Sequence, residues 1–304
     1  MSKYLVITSS PHFLSGVSTR TIMRDVLIAL APAFVASIYF FGPRAAALCA
    51  VCIVSCVFFE WVYRKALGLT NTIRDLSAAV TGLILAYNLP SSLPFWMAVV
   101  GSFVSIVVVK QMFGGIGKNF ANPAIVGRIV LMLGFTAPMT TWPEATDATT
   151  TATPLSHVVD VLPTYSQLFF GQIGGSLGET CAAALLLGFL YLVFRGIITL
   201  TTPVSYLGTV AVLAALLGGD PLYHLLAGGA ILGAVFCATD YVTSPTTEPG
   251  KLIYGIGCGL FTVIIRFYGS LPEGASFSIL LMNILTPYID RFTSSKAFGG
   301  VYKK

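Results

Sequence analysis

The chain has 304 residues, 56% of them hydrophobic and only 10% charged, with a mean hydropathy of +0.85 and a formal net charge of +5. A soluble domain carries about 25% charged residues, so that class is excluded. Apolar runs near the ~20 residues that cross a bilayer recur along the whole length, which predicts an all-α polytopic membrane protein with no large soluble domain and no nucleic acid partner.

In chain order, the N-terminal stretch MSKYLVITSSPHFLSGVSTRTIMRD lacks a short apolar core followed by a small-residue cleavage site. Residues 1–25 are therefore expected to form a cytoplasmic segment. Ten spans follow, at about 26–42, 45–63, 75–89, 93–109, 124–137, 179–194, 197–217, 222–239, 252–266 and 274–289. They divide into a first five-helix half (26–137), a loop (138–178), a second five-helix half (179–290) and a cytoplasmic tail (291–304). The third, fifth and ninth spans are near fifteen residues, so short or broken helices are expected there.

Positive charge orients this plan. With the N-terminus inside, the cytoplasmic side collects Lys3, Arg20, Arg24, Arg64, Lys65, Arg74, Lys110, Lys118, Arg128, Arg195, Lys251, Arg291, Lys296, Lys303 and Lys304. The outer side keeps Arg44 and Arg266. The positive-inside rule then supports both termini inside and an even number of spans. The loop from Ala137 to Gly178, without Lys or Arg, falls outside.

Five spans per half require the halves to be inverted, a common transporter plan. LAYNLPSSLP closes the third span and CATDYVTSP the eighth; FGG precedes the fifth and FYG the tenth. Ala86-Tyr87-Asn88 aligns with Ala238-Thr239-Asp240, and Phe113–Gly115 with Phe267–Gly269, at nearly equal offsets.

Several motifs invite chemistry and meet a plainer reading. Cys49, Cys52 and Cys56 approach an iron–sulfur spacing, yet lie inside one span without a fourth cysteine nearby, which favours small apolar residues packing in a helix. MFGGIGKN lacks the first Gly and last Ser or Thr of a phosphate loop. Its glycines suit a non-helical segment lining a cavity. GIGCG, Gly255 to Gly259, suits close helix packing. His12, His157 and His224 show no metal spacing. Glu60, Asp75, Asp240, Glu273 and Asp290 sit near predicted span ends, where an ionisable group is solvated, paired or part of an ion path. Asp240 is the best placed for an ion path, with Glu273 behind it.

The outer loop contains TDATTTATPL. Asp and Thr favour turns and Pro154 ends local structure. The order Asp147-Ala148-Thr149-Thr150-Thr151-Ala152-Thr153 also resembles the flavinylation motif D-x-x-(S/T)-G-A-T. Asp147, Thr150, Ala152 and Thr153 match it, while Thr151 stands where Gly is usual. The resemblance implies FMN attached through a phosphoester to Thr153 by a flavin transferase that uses FAD.

RDLSAAVTGLILAYNLP, KQMFGGIGKNFANPAIVGR, ATDYVTSPTTEPGK and PEGASFSILLMNILTPYID extend the likeness over residues 20–292. Together they resemble the RnfD/NqrB family, whose members serve the Rnf complex and the sodium-pumping NADH:quinone oxidoreductase, and the short N-terminus favours the Rnf branch. The resemblance implies a multi-pass subunit of the bacterial or archaeal cytoplasmic membrane. It implies covalent FMN on the outer face, non-covalent riboflavin among the helices, and electron relay between ferredoxin and NAD coupled to Na+ or H+ movement. The implied partners are the other Rnf subunits, among them a second covalent-FMN subunit and iron–sulfur subunits. A passive channel or transporter of the same inverted plan is the rival reading; it leaves D-x-x-T-x-A-T unexplained.

Overall fold

A computed structural model of the chain describes residues 18–143, 150–151, 163–269 and 274–294. Helix α1 (Thr19–Phe41) starts where Ser18 Oγ accepts the Thr21 N–H at 3.2 Å. It stops at Gly42, whose φ of 72° ends the helix, and Pro43 opens α2 (Pro43–Ala66) at once. Pro costs nothing there, because the first helical N–H has no partner within the helix. A short 3-10 turn (Ile73–Asp75) leads into α3 (Ser77–Tyr87), with the Ser77 N–H bound by Asp75 Oδ1 at 2.8 Å.

Helix α4 (Phe95–Phe103) continues as a π-helical segment over Val104–Gln111. Residues 112–122 are non-helical, with Gly114, Gly115 and Gly117 at positive φ, as the glycine-rich run suggests. Helix α5 (Pro123–Gly134) is capped by Asn122, whose Oδ1 accepts from the N–H groups of Ala124 and Ile125. After α6 (Thr136–Met139), strand β1 (Trp142–Pro143) pairs antiparallel with β2 (Thr150–Thr151). Helices α7 (Tyr165–Phe170), α8 (Ala182–Phe194), α9 (Thr201–Leu216), α10 (Pro221–Leu226) and α11 (Ala230–Leu232) follow. Helix α11 runs directly into a second π-helical segment, Gly233–Cys237. Helices α12 (Glu248–Tyr268) and α13 (Ala275–Thr293) complete the described chain.

The longer helices are predominantly apolar, and α1, α2 and α12 are each long and apolar enough to cross a membrane. Three expectations are corrected. The eighth span, expected over 222–239, is interrupted: Gly228 and Gly229 both hold φ of 67°, a left-handed turn that separates α10 from α11. The ninth span is not short. Thr247 caps it by accepting the Gly250 N–H, Pro249 sits in its first turn, and α12 runs 21 residues. The sixth begins at Ala182 rather than Glu179, because residues 174–180 form a buried non-helical segment.

That segment completes the centre of the molecule. The N–H groups of Leu177 and Gly178 donate to the carbonyls of Leu89 and Tyr87, both at 3.0 Å, just past α3. Buried irregular backbone is tolerated at such depth only with partners of this kind. A Cβ on Gly178 would lie 2.3 Å from the Tyr87 side chain, so this crossing admits glycine alone.

Helix pairs close in a related way. A Cβ on Gly255 or Gly259 would stand within 2.9 Å or 2.8 Å of the Thr202 or Tyr206 carbonyl of α9. This is the close packing expected of GIGCG. Gly188 of α8 packs likewise on the Ala29 carbonyl of α1, and Gly82 of α3 on the Cys52 carbonyl of α2. Cys49, Cys52 and Cys56 are fully buried in this seam. One apolar core, including Leu30, Leu85, Leu131, Tyr206 and Ile279, runs through both parts of the chain.

Candidate functional site

The sequence points to an outer-loop motif and to acidic groups near helix ends. Asp147, Ala152, Thr153, His157 and Glu273 lie outside the described residues. Of the motif, the backbone of Thr150 and Thr151 is placed, pairing with Pro143 and Trp142. Trp142 is buried, and the neighbouring Thr141 carbonyl accepts from Ser92 Oγ at 3.2 Å. The backbone of the motif's central threonines is thus tied to the body of the bundle.

The other acidic residues part company. Asp75 accepts from the backbone and hydroxyl of Ser77, at 2.8 and 2.6 Å. Asp290 accepts from the backbone and hydroxyl of Thr246, at 3.0 and 3.3 Å. Asp75 organises its own turn, and Asp290 ties the end of α13 to the segment before α12.

Asp240 lines a cavity of about 280 Å³. Its Oδ2 accepts from Thr243 Oγ1 at 3.1 Å. Burial raises its carboxyl above the ordinary value, and the Thr243 hydroxyl and Val242 N–H oppose that shift. The cavity wall is drawn from α1, α3, the 112–122 segment, the start of α5, the end of α8 and residues 235–242. Its surface is mainly apolar, with Ile22, Val80, Ile84, Val235 and Phe236 prominent, and Ser77, Lys110, Asn119 and Asp240 supply polar groups. Small-molecule sites typically occupy ~300–1,000 Å³ and combine apolar walls with a few placed polar groups. This cavity has that character, at a volume just under the usual range.

Glu60 is the acidic residue whose role changes most. It is fully buried in α2, and its Oε2 lies 2.7 Å from Lys110 Nζ. Lys110 also donates to Ser77 Oγ at 2.6 Å, and Thr72 Oγ1 donates to Glu60 Oε1. Asp75, Ser77, Lys110, Glu60 and Thr72 therefore form one continuous hydrogen-bonded chain joining α2, α3 and the π segment after α4. Lys110 stands at the cavity wall, and Glu60 stands behind it.

Sequence reasoning missed Lys110 because it follows the apolar run SIVVV and reads as an interfacial charge. Arg128 and Arg266 were counted as topological charges as well. Arg128 is buried in α5 and donates to Asn88 Oδ1 and Ser276 Oγ, both at 2.9 Å. Arg266 is buried in α12 and donates to the carbonyls of His224, Ala227 and Gly228. Buried charges make contacts rather than topology, so Lys110 and Arg128 leave the inner tally and Arg266 leaves the outer one. The bias survives.

Asn122 was also unmarked. Its Nδ2 donates to the Cys237 carbonyl at 3.2 Å, and its N–H reaches the Asn283 side-chain oxygen at 3.0 Å. It fastens the start of α5 to the end of the second π segment and to α13. The adjacency of Asn and Pro123 was the available signal, since Asn-Pro is a strong helix start.

Residues 6–299 match the sequence profile described as the NQR2, RnfD, RnfE family. The chain belongs to this family. It is 48% identical over 303 residues to the D subunit of the Na(+)-translocating ferredoxin:NAD(+) oxidoreductase complex of Acetobacterium woodii, covering 97% of this chain and 95% of that protein. It is 40% identical to the D subunit of the proton-translocating ferredoxin:NAD(+) oxidoreductase complex of Clostridium ljungdahlii, covering 96% of each. It is 37% identical to the D subunit of the ion-translocating oxidoreductase complex of Stutzerimonas stutzeri, covering 93% and 92%. With its apolar helices, a member of this family is a membrane protein, and the cavity, the Glu60–Lys110 pair and Asp240 lie within the matched region.

Proposed function

We propose that this chain is the membrane flavoprotein subunit of an Rnf-type complex, helping to relay electrons between ferredoxin and NAD while Na+ or H+ crosses the membrane. The observation that carries this reading is the 48% identity, at nearly full coverage of both chains, to a relative named as the D subunit of such a complex. The relatives' names include both ions, so the ion follows from neither. The partners are the remaining subunits, including a second covalent-FMN subunit and iron–sulfur subunits.

FMN would be carried by Thr153 through a phosphoester, with Asp147, Thr150, Thr151 and Ala152 forming the sequence presented to the flavin transferase. The β1–β2 pairing supports this, because it anchors the motif's central threonines by their backbone while the attachment residue follows. A second flavin, riboflavin, fits the cavity in kind: mainly apolar walls for a ring system, with polar groups from Ser77, Lys110, Asn119 and Asp240. Bound flavin supplies the redox chemistry. The chain's residues orient it, keep water away and fix the surrounding charge.

The topology that accords with this role has ten spans in two inverted halves, both termini cytoplasmic and the flavin loop outside. The inverted halves are supported by helices in matching positions that pack on one another: α1 on α8 and α5 on α13. The two π-helical segments both reach the cavity but occupy non-equivalent positions in the two halves, so they do not bear on the inversion. Asp240 is the candidate on the ion path among the described residues, and Glu273 the other candidate from sequence.

Denaturing electrophoresis of the protein co-expressed with a flavin transferase should give a fluorescent band, and Thr153→Ala should abolish it. A dark wild-type band would overturn the covalent-flavin reading. Asp240→Asn should impair coupled ion transport; unchanged transport removes Asp240 from the path.

A further inference from the structure

We infer that Lys110 is a charge-setting positioning residue for the flavin proposed to occupy the cavity, and that Glu60 modulates its effect from behind. The inference rests on the cofactor reading above.

Lys110 is the cationic side chain in the described cavity wall. Its ammonium is 3% exposed by residue, so water screens it weakly. It is also held in place: Glu60 Oε2 at 2.7 Å and Ser77 Oγ at 2.6 Å fix two of its three donors. The residue that holds this ammonium lines the cavity. Glu60 is itself fully buried and does not line the cavity. A guest thus meets the positive member of the pair first and the negative member at greater distance.

The backbone makes this placement costly to lose. Lys110 belongs to the π-helical segment Val104–Gln111, and single π turns inside helices recur at functional sites. The second π segment supplies Val235 and Phe236 to another part of the same wall. One segment brings a fixed charge and the other brings apolar surface, which suits a guest with a broad face and an electron-rich edge. A fixed cation favours whichever form of the guest carries more negative charge, here the reduced one.

The test is an equilibrium redox titration of the purified complex with all its subunits. The difference between wild-type and variant curves isolates the flavin component that moves. Lys110→Met should move one component to lower potential, changing its oxidised-to-reduced ratio at fixed potential by about tenfold, about 59 mV for a one-electron couple. Lys110→Arg keeps the charge and should leave that component nearly in place. Glu60→Gln removes the opposing charge and should move the same component upward. If Lys110→Met fails to assemble, Glu60→Gln and Lys110→Arg still decide the matter.

Non-covalent flavin bound at wild-type stoichiometry, with potentials unmoved in Lys110→Met and Glu60→Gln, overturns the inference alone. A wild-type complex without any non-covalent flavin overturns the cofactor reading and this inference with it.

Discussion

The protein buries cations in two ways. Arg266 donates to neutral oxygens: the backbone carbonyls of His224, Ala227 and Gly228, at the end of α10 and the turn after it, receive its guanidinium, with the buried Glu179 carboxylate adding a longer-range attraction. Lys110 faces a full opposite charge on Glu60 and looks onto a cavity. The guanidinium's planar fork can satisfy several fixed carbonyls at once, which makes it a clamp for a broken helix. The ammonium is a point charge whose effect reaches whatever enters beside it. A buried cation wrapped in backbone dipoles points to architecture, and one shared between a carboxylate and a cavity points to function.

The largest expected effect tests the Lys110 side of that contrast. Glu60→Ala leaves Lys110 buried without its counter-charge and should cost ~3–5 kcal/mol of stability, read as a fall in thermal midpoint in detergent. Glu60→Gln should cost less, since its amide still offers hydrogen bonds to Thr72 and Lys110. Equal losses for both would mean that the site requires the charge itself and that the hydrogen bonds add nothing to it.

Next comes Arg266→Leu. It strips three carbonyls of a charged donor, but they lie where water can replace much of it, so the net loss should be about that of one such bond, ~1.5–3 kcal/mol. The same thermal measurement should register the loss, while the flavin potentials stay where they are. A shifted potential would break the distinction between the two cations.

The smallest effect belongs to Asn122→Ala. Losing the α5 cap should cost ~0.5–2 kcal/mol. Hydrogen exchange should locate the damage at the first turn of α5 and spare α2. Protection lost throughout would mean that the bond from Asn122 to the Cys237 carbonyl holds far more than a helix end.

Legibility follows the range of the interactions. Helix starts at Pro43 and Pro123 and the close approach at Gly255 and Gly259 depend on neighbours a few residues away or on residue size, and all are readable in the sequence. The interruption at Gly228-Gly229 was missed because consecutive glycines in an apolar run also occur inside packed helices, and hydropathy does not register φ. The start of α12 lies ahead of the expected 252 because hydropathy does not register polar residues that open a helix, and Thr247 followed by Pro249 is a cap and a first turn.

By itself the sequence determined the chemical class: an apolar, helical membrane chain, biased in charge, with one threonine-rich motif and the marks of its family. Those properties are local or additive, so composition and spacing carry them. Tertiary structure alone decided which charges are architectural and which face the cavity. Glu60 and Lys110 are fifty positions apart, and Arg266 meets its carbonyls across about forty. In a low-dielectric interior a charge acquires its role from the partner that packing brings within 3 Å.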